Sequence, residues 1–332
     1  MQQVLRYLAF PISLVYALVV HLRNLLYDLG IFASRSHSTP TICVGNLSVG
    51  GTGKTPMVEY LLGVLEGHRV AVLSRGYKRR SKGFLLADAS STVLDLGDEP
   101  FQLHRKFPNL ALAVDGDRRR GIETLERSVS PELILLDDAF QHRRVAPSLS
   151  ILLTAHGRLY VDDWYLPTGN LRDAKGEAAR ADLIVVTKCP VDLSEDAREQ
   201  LIRKLRPRAA QEVLFAHLAY GKRVLDGKGG GMELSALKGK RVALVTGIAS
   251  PGPLLAHLES LGIAFSHFGY GDHHPFTERE IAGFSDHQIV LCTEKDYVRL
   301  QGRVGKLFYL PVAHSFAPGD RAVLVKRVKA LL

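Results

Sequence analysis

Short apolar runs alternate with longer amphipathic stretches along most of the chain. Apolar runs separated by segments of helical spacing are typical of buried parallel strands in an α/β protein. The pattern therefore predicts a doubly wound, mostly parallel sheet with helices on both faces. The runs that predict its strands are 41–44, 70–73, 110–114, 133–136, 149–153 and 183–186.

The pattern changes after Pro207, and a glycine-rich passage follows at 227–231. Apolar runs restart beyond it, at 242–245, 263–268 and 289–292, which predicts a second, smaller α/β domain. A chain of 332 residues is also longer than the about 250 to 300 residues at which single cores stop growing. The predicted divisions are an N-terminal apolar helix (1–35), a core domain (36–210), a linker (211–231) and a smaller C-terminal domain (232–332).

The N-terminal segment 7–22 contains no Asp, Glu, Lys or Arg and is flanked by Arg6 and Arg23. This uncharged stretch is shorter than the about 20 residues that a membrane-spanning helix needs, and Pro11 weakens that interpretation further. The pattern favours a helix that lies in the membrane interface with its apolar face among the acyl chains. The alternatives are a buried helix that caps the first domain, a bilayer span and a secretory signal.

The charge and cysteine content of the chain limit which binding partners and compartments are expected. The chain has 43 Lys and Arg against 34 Asp and Glu, a formal charge of +9, which favours a phosphorylated substrate or an anionic membrane surface. Because the basic residues are spread along the chain and no nucleic-acid module is recognisable, we expect no nucleic-acid partner. Cys43, Cys189 and Cys292 lie in or beside apolar runs without a C-x-x-C pair, which predicts buried thiols in a reducing compartment.

The first apolar run leads into the sequence Ser-Val-Gly-Gly-Thr-Gly-Lys-Thr at 48–55. Its glycines allow backbone N–H groups to face anionic oxygens, and the helix that follows adds the positive end of its dipole. Ser48 stands where the general pattern has its first glycine, but the rest predicts a phosphate loop. Lys54 would reach the β and γ phosphates, and Thr55 would ligate Mg²⁺. The residues expected to contact ATP are Ser48, Val49, Gly50, Gly51, Thr52, Gly53, Lys54 and Thr55.

A second nucleotide signature follows the run 133–136, which ends in Asp137 and Asp138. Ligands collect at the carboxyl ends of strands in open α/β sheets, so one of these carboxylates is expected to hold Mg²⁺ together with Thr55. The pattern does not decide between the two. For the nearby Gln141 and His142, a role as polar loop residues and a role in ligand contact both stay open.

Basic residues also cluster after the predicted strands. Arg75 and Arg119 lie in the sequences Arg-Gly-Tyr-Lys-Arg-Arg and Asp-Gly-Asp-Arg-Arg-Arg, and Arg172 lies in a turn-rich stretch. Such runs are usually solvated surface, and the alternative is contact with phosphate groups of a substrate or of ATP. The sequence Thr-Lys-Cys-Pro-Val-Asp at 187–192 lacks the Asn of a guanine-reading loop, which disfavours a GTPase.

Taken in order, the motifs resemble the tetraacyldisaccharide 4′-kinase family, the lipid A kinases of Gram-negative bacteria. The resemblance covers nearly the whole chain, and Ser48 in the phosphate loop is itself family-like. The motifs that carry it are Val-Gly-Asn-Leu-Ser-Val-Gly-Gly-Thr-Gly-Lys-Thr-Pro (44–56), Ser-Arg-Gly-Tyr (74–77), Gly-Asp-Glu-Pro (97–100), Asp-Asp-Ala-Phe-Gln-His (137–142), Leu-Pro-Thr-Gly-Asn-Leu-Arg-Asp (166–173), Asp-His-His-Pro-Phe (272–276) and Thr-Glu-Lys-Asp (293–296).

The resemblance implies ATP- and Mg²⁺-dependent phosphorylation of the 4′-hydroxyl of an acylated glucosamine disaccharide 1-phosphate, which gives lipid IVA. It also implies a peripheral or monotopic enzyme at the cytoplasmic face of the bacterial inner membrane, which we expect to be a monomer. Asp98 is then the general base and His273 its partner. From the residues alone, Asp98 also suits a helix start, and His273 with His274 suits either a polar loop or a metal pair.

Two other classes stay open. A phosphate-loop ATPase of the metallochaperone or switch type would hydrolyse ATP without a lipid acceptor. A non-catalytic nucleotide sensor would bind ATP and tolerate loss of Asp98. Dependence of ATP turnover on the lipid acceptor separates a kinase from both.

Overall fold

The computed structural model describes residue 6, residues 8–272 and residues 274–332. Within this part of the chain, the α-helices are α1 (Phe10–Asp28), α2 (Lys54–Val64), α3 (Val93–Leu96), α4 (Asp98–Lys106), α5 (Arg118–Ser128), α6 (Glu195–Leu205), α7 (Gly252–Ser260), α8 (Glu278–Ser285), α9 (Glu294–Leu300) and α10 (Pro318–Lys329). The strands are β1 (Thr41–Asn46), β2 (Val70–Ser74), β3 (Leu85–Leu86), β4 (Ala111–Val114), β5 (Leu133–Asp137), β6 (Leu149–Ala155), β7 (Leu183–Thr187), β8 (Glu212–Tyr220), β9 (Arg223–Leu225), β10 (Gly231–Glu233), β11 (Val242–Thr246), β12 (Phe265–Gly269), β13 (Ile289–Thr293), β14 (Leu307–Leu310) and β15 (Val312–Phe316).

A nine-stranded sheet organises the larger part of the chain, in the order β15-β8-β7-β6-β1-β5-β2-β4-β3. Neighbouring strands from β8 to β4 pair in parallel, and β3 joins the edge antiparallel to β4. Strand β1 lies centrally between β5 and β6, where the strand order reverses direction. Ligands of open α/β sheets bind beyond the carboxyl ends of strands at such a point.

Helices cover both faces of this sheet. Side chains alternate between the faces along a strand. Ile42 therefore packs in an apolar cluster with Met57 of α2 and Leu324 of α10, whereas Cys43 packs in a different cluster with Ile122 of α5. The doubly wound, mostly parallel fold predicted from the apolar runs is confirmed.

A six-stranded sheet forms a second, smaller unit, in the order β10-β9-β14-β13-β11-β12. Strands β14, β13, β11 and β12 pair in parallel, and β9 pairs antiparallel with both β10 and β14. Leu254 of α7 shares an apolar cluster with Leu244, and Phe284 of α8 shares another with Val245. This unit is thus an α/β layer structure with its own core.

The boundaries between the units differ from the predicted ones. The first unit runs to Leu218 and resumes at His314, and the second is Ala219–Ala313. Residues 211–231, expected to form a linker, contain β8, which pairs in parallel with β7. The chain beyond His314, expected in the C-terminal domain, returns to the first sheet as β15 and α10. The local pattern of apolar residues does not show which distant segments pair, so these boundaries could not be predicted from it.

Helix α1 buries polar residues and exposes apolar ones. Ser13 and Asn24 are buried, whereas Leu14, Leu18 and Leu22 are 55%, 68% and 55% exposed. Among the described residues, α1 is the one helix long and apolar enough to cross a membrane, and 17% of its most apolar window is buried. A helix buried within the first domain, one of the alternatives above, does not fit this pattern.

The polar face of α1 contacts the loop segment 163–173. Ser13 Oγ donates a hydrogen bond to Thr168 Oγ1 at 2.8 Å, and Asn24 Nδ2 donates one to Asp173 Oδ1 at 2.7 Å. Because Ser13 and Asn24 face the protein, the side of α1 that remains open is its apolar side.

Candidate active site

The loop at 48–55 connects β1 to α2 with the backbone of a phosphate cradle. Gly50 and Gly53 have φ angles of +107° and +87°, in a region that residues with side chains rarely adopt. Gly53 is the residue that caps the N-terminus of α2. The first N–H groups of a helix have no partner within it, and together with the helix dipole they favour a bound anion.

Neighbouring segments hold this loop in place. Asn46 Nδ2 donates a hydrogen bond to Thr52 Oγ1, and Thr187 Oγ1 donates one to the Thr52 carbonyl, both at 2.8 Å. The Val49 N–H donates to the Asn170 carbonyl, also at 2.8 Å. The cradle is therefore preorganised by β1, by the end of β7 and by the segment 163–173.

Lys54 and Arg172 converge on Asp138. Lys54 Nζ lies 3.6 Å from Asp138 Oδ1, and Arg172 Nη1 donates a hydrogen bond to Asp138 Oδ2 at 3.1 Å. Burial alone would raise the pKa of Asp138, but the charge of Lys54 and the hydrogen bonds and charge of Arg172 hold that pKa well below its usual range. Asp138 is therefore ionised at neutral pH and already paired with two cations.

Asp137 has a different environment. Ser74 Oγ donates to its Oδ2 at 2.9 Å, but its buried Oδ1 has no hydrogen-bond partner among the described residues. Burial and the carboxylates of Glu99 and Asp138 raise the pKa of Asp137 to about 6. An unpartnered carboxylate oxygen beside a phosphate cradle is a group that a cation would satisfy.

The donor set fits Mg²⁺ in the presence of a nucleotide. Asp137 Oδ1 is available, and Thr55 follows Lys54 in the first turn of α2. Among the described residues, no three His, Cys, Asp or Glu side chains form a closed metal cage. Magnesium commonly binds through one or two carboxylates and completes its coordination with phosphate oxygens and water.

Asp98 begins α4, next to the segment 76–77. Gly97 before it has φ +87°, and a Cβ at that position would lie 2.6 Å from the Tyr77 carbonyl. This close approach fixes where α4 starts, and Asp98 is half-buried in the first helical turn. Of the residues in this motif, only Asp98 was predicted to belong to the site. Glu99 belongs to it as well, since it lies near enough to Asp137 to raise the pKa of that carboxyl.

His273 lies outside the described residues, and its predicted role stays a prediction. Its neighbour His274 contacts Glu280 Oε1 at 2.9 Å and stacks on the Tyr270 ring with centroids 4.7 Å apart. In the motif at 293–296, Thr293 Oγ1 accepts the Asp296 N–H at 3.2 Å, so this motif caps α9.

The other predicted ligand-contacting residues divide into two groups. Arg75 is exposed and Arg119 is half-buried, whereas His142 has a pKa lowered to about 4 by burial and by the charges of Arg118, Arg75 and Arg23. His142 is therefore neutral at neutral pH and lies near the positive charge of Arg75. Gln141 and Arg172 instead bind the protein itself: Gln141 Nε2 donates to the Asn46 carbonyl at 2.6 Å, and Arg172 Nη2 donates to the Asn46 side chain.

Two residues of the site were not found by sequence reasoning. Asn46 is the last residue of β1 and contacts Thr52, Gln141 and Arg172. Its position at the strand end was the available signal. Arg118 is 1% exposed and donates to the Asp137 carbonyl at 3.2 Å. The charged run that contains Arg118 gives no indication that this side chain is buried.

Known proteins are similar to this chain along nearly its whole length. The model of the tetraacyldisaccharide-1-P 4′-kinase family matches residues 5–331. A Flavobacterium johnsoniae protein named tetraacyldisaccharide 4′-kinase is 44% identical over 319 residues, which cover 94% of this chain and 93% of that protein. A Bacteroides thetaiotaomicron protein of the same name is 43% identical, with 88% of this chain and 82% of the relative covered. The crystal structure of LpxK from Aquifex aeolicus in complex with ATP matches with a TM-score of 0.79 and 30% identity, over 98% of this chain and 99% of that one.

Proposed function

The chain belongs to the tetraacyldisaccharide-1-P 4′-kinase family, and we propose that it transfers the γ-phosphoryl group of ATP to the 4′-hydroxyl of a tetraacylated glucosamine disaccharide 1-phosphate, giving lipid IVA. The observation that carries the proposal is the assembly of a phosphate cradle, Lys54 and two unlike carboxylates at the carboxyl ends of β1 and β5.

Residues 48–55 would bind the phosphates of ATP through backbone N–H groups, and Lys54 would neutralise the β and γ oxygens. Thr55 and Asp137 would hold Mg²⁺, because Asp138 is already paired with Lys54 and Arg172. When bound there, Mg²⁺ supplies charge neutralisation between the phosphate oxygens. Arg172 and Gln141 support the loop. Arg75 and Arg119 would offer positive charge to the acceptor's phosphate, and His142, which is neutral at neutral pH, would offer it a hydrogen bond.

Phosphoryl transfer also needs a base near the acceptor hydroxyl. We assign this role to Asp98, whose carboxylate would take the proton as the 4′-oxygen bonds to phosphorus and the bond to ADP breaks. The family resemblance implies that His273 is the partner of this base. The assignments follow the family resemblance and the position of Asp98 in the first turn of α4.

The apolar face of α1 supports action on an acylated substrate. Its exposed leucines would lie among acyl chains at the cytoplasmic face of the inner membrane, where ATP is available. The polar face of the same helix stays bound to the segment 163–173, which contains Arg172. The enzyme would thus be peripheral or monotopic, and we propose a monomer without a nucleic-acid partner.

The test is transfer of labelled phosphate from ATP to detergent-dispersed tetraacyldisaccharide 1-phosphate. Asp98→Asn keeps the size of the side chain but removes the base, so a loss of at least about 100-fold is expected. Asp192→Asn, at an exposed carboxylate of the same unit, is the matched control and should label lipid at the wild-type rate.

Each outcome selects one account. If the Asp98→Asn variant still labels lipid, the protein is a kinase but Asp98 is not its general base. Absence of labelled lipid, with ATP hydrolysis that needs no acceptor, replaces the kinase with the phosphate-loop ATPase.

A further inference from the structure

A buried histidine that the mechanism above does not use lies under the phosphate loop. His314 is the first residue of the returning segment of the first unit, and it is 3% exposed. Its Nε2 lies 2.9 Å from the carbonyl oxygen of Gly53, the residue that caps α2. A polar side chain buried so completely against the nucleotide loop calls for a physical reason.

The contact with the Gly53 carbonyl defines which nitrogen of the His314 ring carries the proton. Since a carbonyl only accepts, Nε2 carries the proton and donates, and Nδ1 is the unprotonated nitrogen. Nδ1 is buried and has no hydrogen-bond partner among the described residues. Burial lowers the pKa of His314 to about 4. The hydrogen bond to the Gly53 carbonyl opposes this shift, and Lys188 and His217 add to it. The ring is therefore neutral at physiological pH.

The same ring leaves space at position 53 only for glycine. A Cβ there would lie 2.7 Å from His314 Nε2, and Gly53 has φ +87°. The Gly53 carbonyl also accepts the first helical hydrogen bond, from the Met57 N–H at 3.1 Å. The carbonyl thus has two donors, one from α2 and one from β15.

Fixing this carbonyl has a consequence on the opposite side of the peptide. A trans peptide is planar, and its C=O and N–H groups point in opposite directions. When the Gly53 carbonyl is held against His314, the N–H of Lys54 points away from the ring, out of the N-terminus of α2. That is the direction from which an anion approaches.

We propose that His314 is a positioning residue for nucleotide binding, which holds the Gly53–Lys54 peptide so that the Lys54 N–H faces the phosphates. The inference rests on the ATP-binding part of the proposed function and not on its lipid acceptor. Phe316, two residues further along β15, packs against Tyr60 of α2 with ring centroids 4.9 Å apart. It supports the same helix without a polar contact in this pair, which makes it a useful control.

The test is calorimetric titration of the whole protein with MgATP and with AMP, which lacks the β and γ phosphates. His314→Leu removes the donor, so the Kd for MgATP should rise about tenfold, as expected for one hydrogen bond. His314→Gln returns an N–H donor and should stay within about threefold of wild type. Phe316→Leu should leave the Kd unchanged, and AMP affinity should be equal in all four proteins.

Three results would overturn the proposal: wild-type MgATP affinity in a folded His314→Leu protein, equal losses for AMP and MgATP, or equal losses in the leucine and glutamine variants. If thermal melting shows that His314→Leu does not fold, His314→Ala is titrated with and without free imidazole. Recovery of MgATP affinity by imidazole supports the proposal, and failure to recover it contradicts it. Because lipid is absent throughout, failure of the kinase assignment would not alter these results.

Discussion

Helices α1 and α2 are both rich in apolar residues, but α2 packs them into or against the core and α1 exposes most of them. In α2, Met57, Val58 and Leu61 are 0% exposed, and they fill the core beneath the sheet. In α1, Leu18 is 68% exposed, while the polar Asn24 is 3% exposed. An amphipathic surface helix normally turns its apolar stripe inward. The comparison teaches that burial, more than composition, separates a helix that forms part of the core from one that leaves an apolar surface exposed.

The largest expected effect concerns the charged residue that begins α2. Lys54→Ala should reduce phosphoryl transfer about 100- to 1,000-fold, in the range seen when one preorganised charge-stabilising group is removed. Lys326→Ala, at an exposed lysine of α10, is the control and should retain full activity. Steady-state transfer to lipid measures both. If Lys54→Ala retains activity within about threefold of wild type, Lys54 at the start of α2 does not take part in phosphoryl transfer.

The same substitution in the two helices tests the contrast in burial directly. Leu61→Ala should lower the free energy of unfolding by about 2 to 5 kcal/mol, because it leaves a cavity in the core. Leu18→Ala should change it by no more than about 0.5 kcal/mol, because the side chain is already exposed. Denaturant unfolding of both variants measures the difference. If both variants lose a similar amount of unfolding free energy, Leu18 of α1 is buried in the core as Leu61 of α2 is.

Acidification should act on α2 through His314. The pKa of this residue is about 4 in the folded protein, below its ordinary value of 6.5, so the unfolded chain binds the additional proton. The stability that His314 contributes is complete above pH 6.5 and is lost as the pH falls towards 4. His314→Gln should remove up to about 3 kcal/mol of this pH dependence. Melting temperatures of both proteins across this range would reveal it, and parallel curves would contradict the neutral buried ring.

The smallest expected effect is on membrane binding. Leu18→Asp should weaken partitioning onto vesicles of mixed zwitterionic and anionic lipid about tenfold, because it puts a charge where an exposed apolar side chain would enter the lipid. Val191→Asp is the control, since Val191 is 79% exposed but lies far from α1 in sequence. Co-sedimentation measures both. Equal binding by the two variants would mean that the exposed face of α1 does not contact lipid.

The sequence predicted those parts of the molecule that are specified locally. The glycine pattern at 48–55 and the acidic end of β5 each lie within a few residues, and the structure has the predicted strands and loop there. Long-range parts were not predictable in the same way. The pairing of β8 with β7, and the contact between His314 and Gly53, join segments whose association depends on the whole sheet.

The contrast between Asp137 and Asp138 shows the same limit within the site. Their adjacent positions gave no basis for choosing between them. Arg172 and Lys54 ion-pair with Asp138, whereas Asp137 Oδ1 is left without a partner among the described residues. Only the folded chain brings Arg172, from a distant turn, to one of the two carboxylates.

The central claim is that α2 and its loop activate ATP for an acceptor that α1 helps to reach. Its most direct test is the rate of ATP turnover with and without tetraacyldisaccharide 1-phosphate in mixed micelles. The account predicts that turnover rises at least about 100-fold when the acceptor is added, and that one labelled lipid forms for each ADP. An equal rate of hydrolysis without acceptor would contradict it.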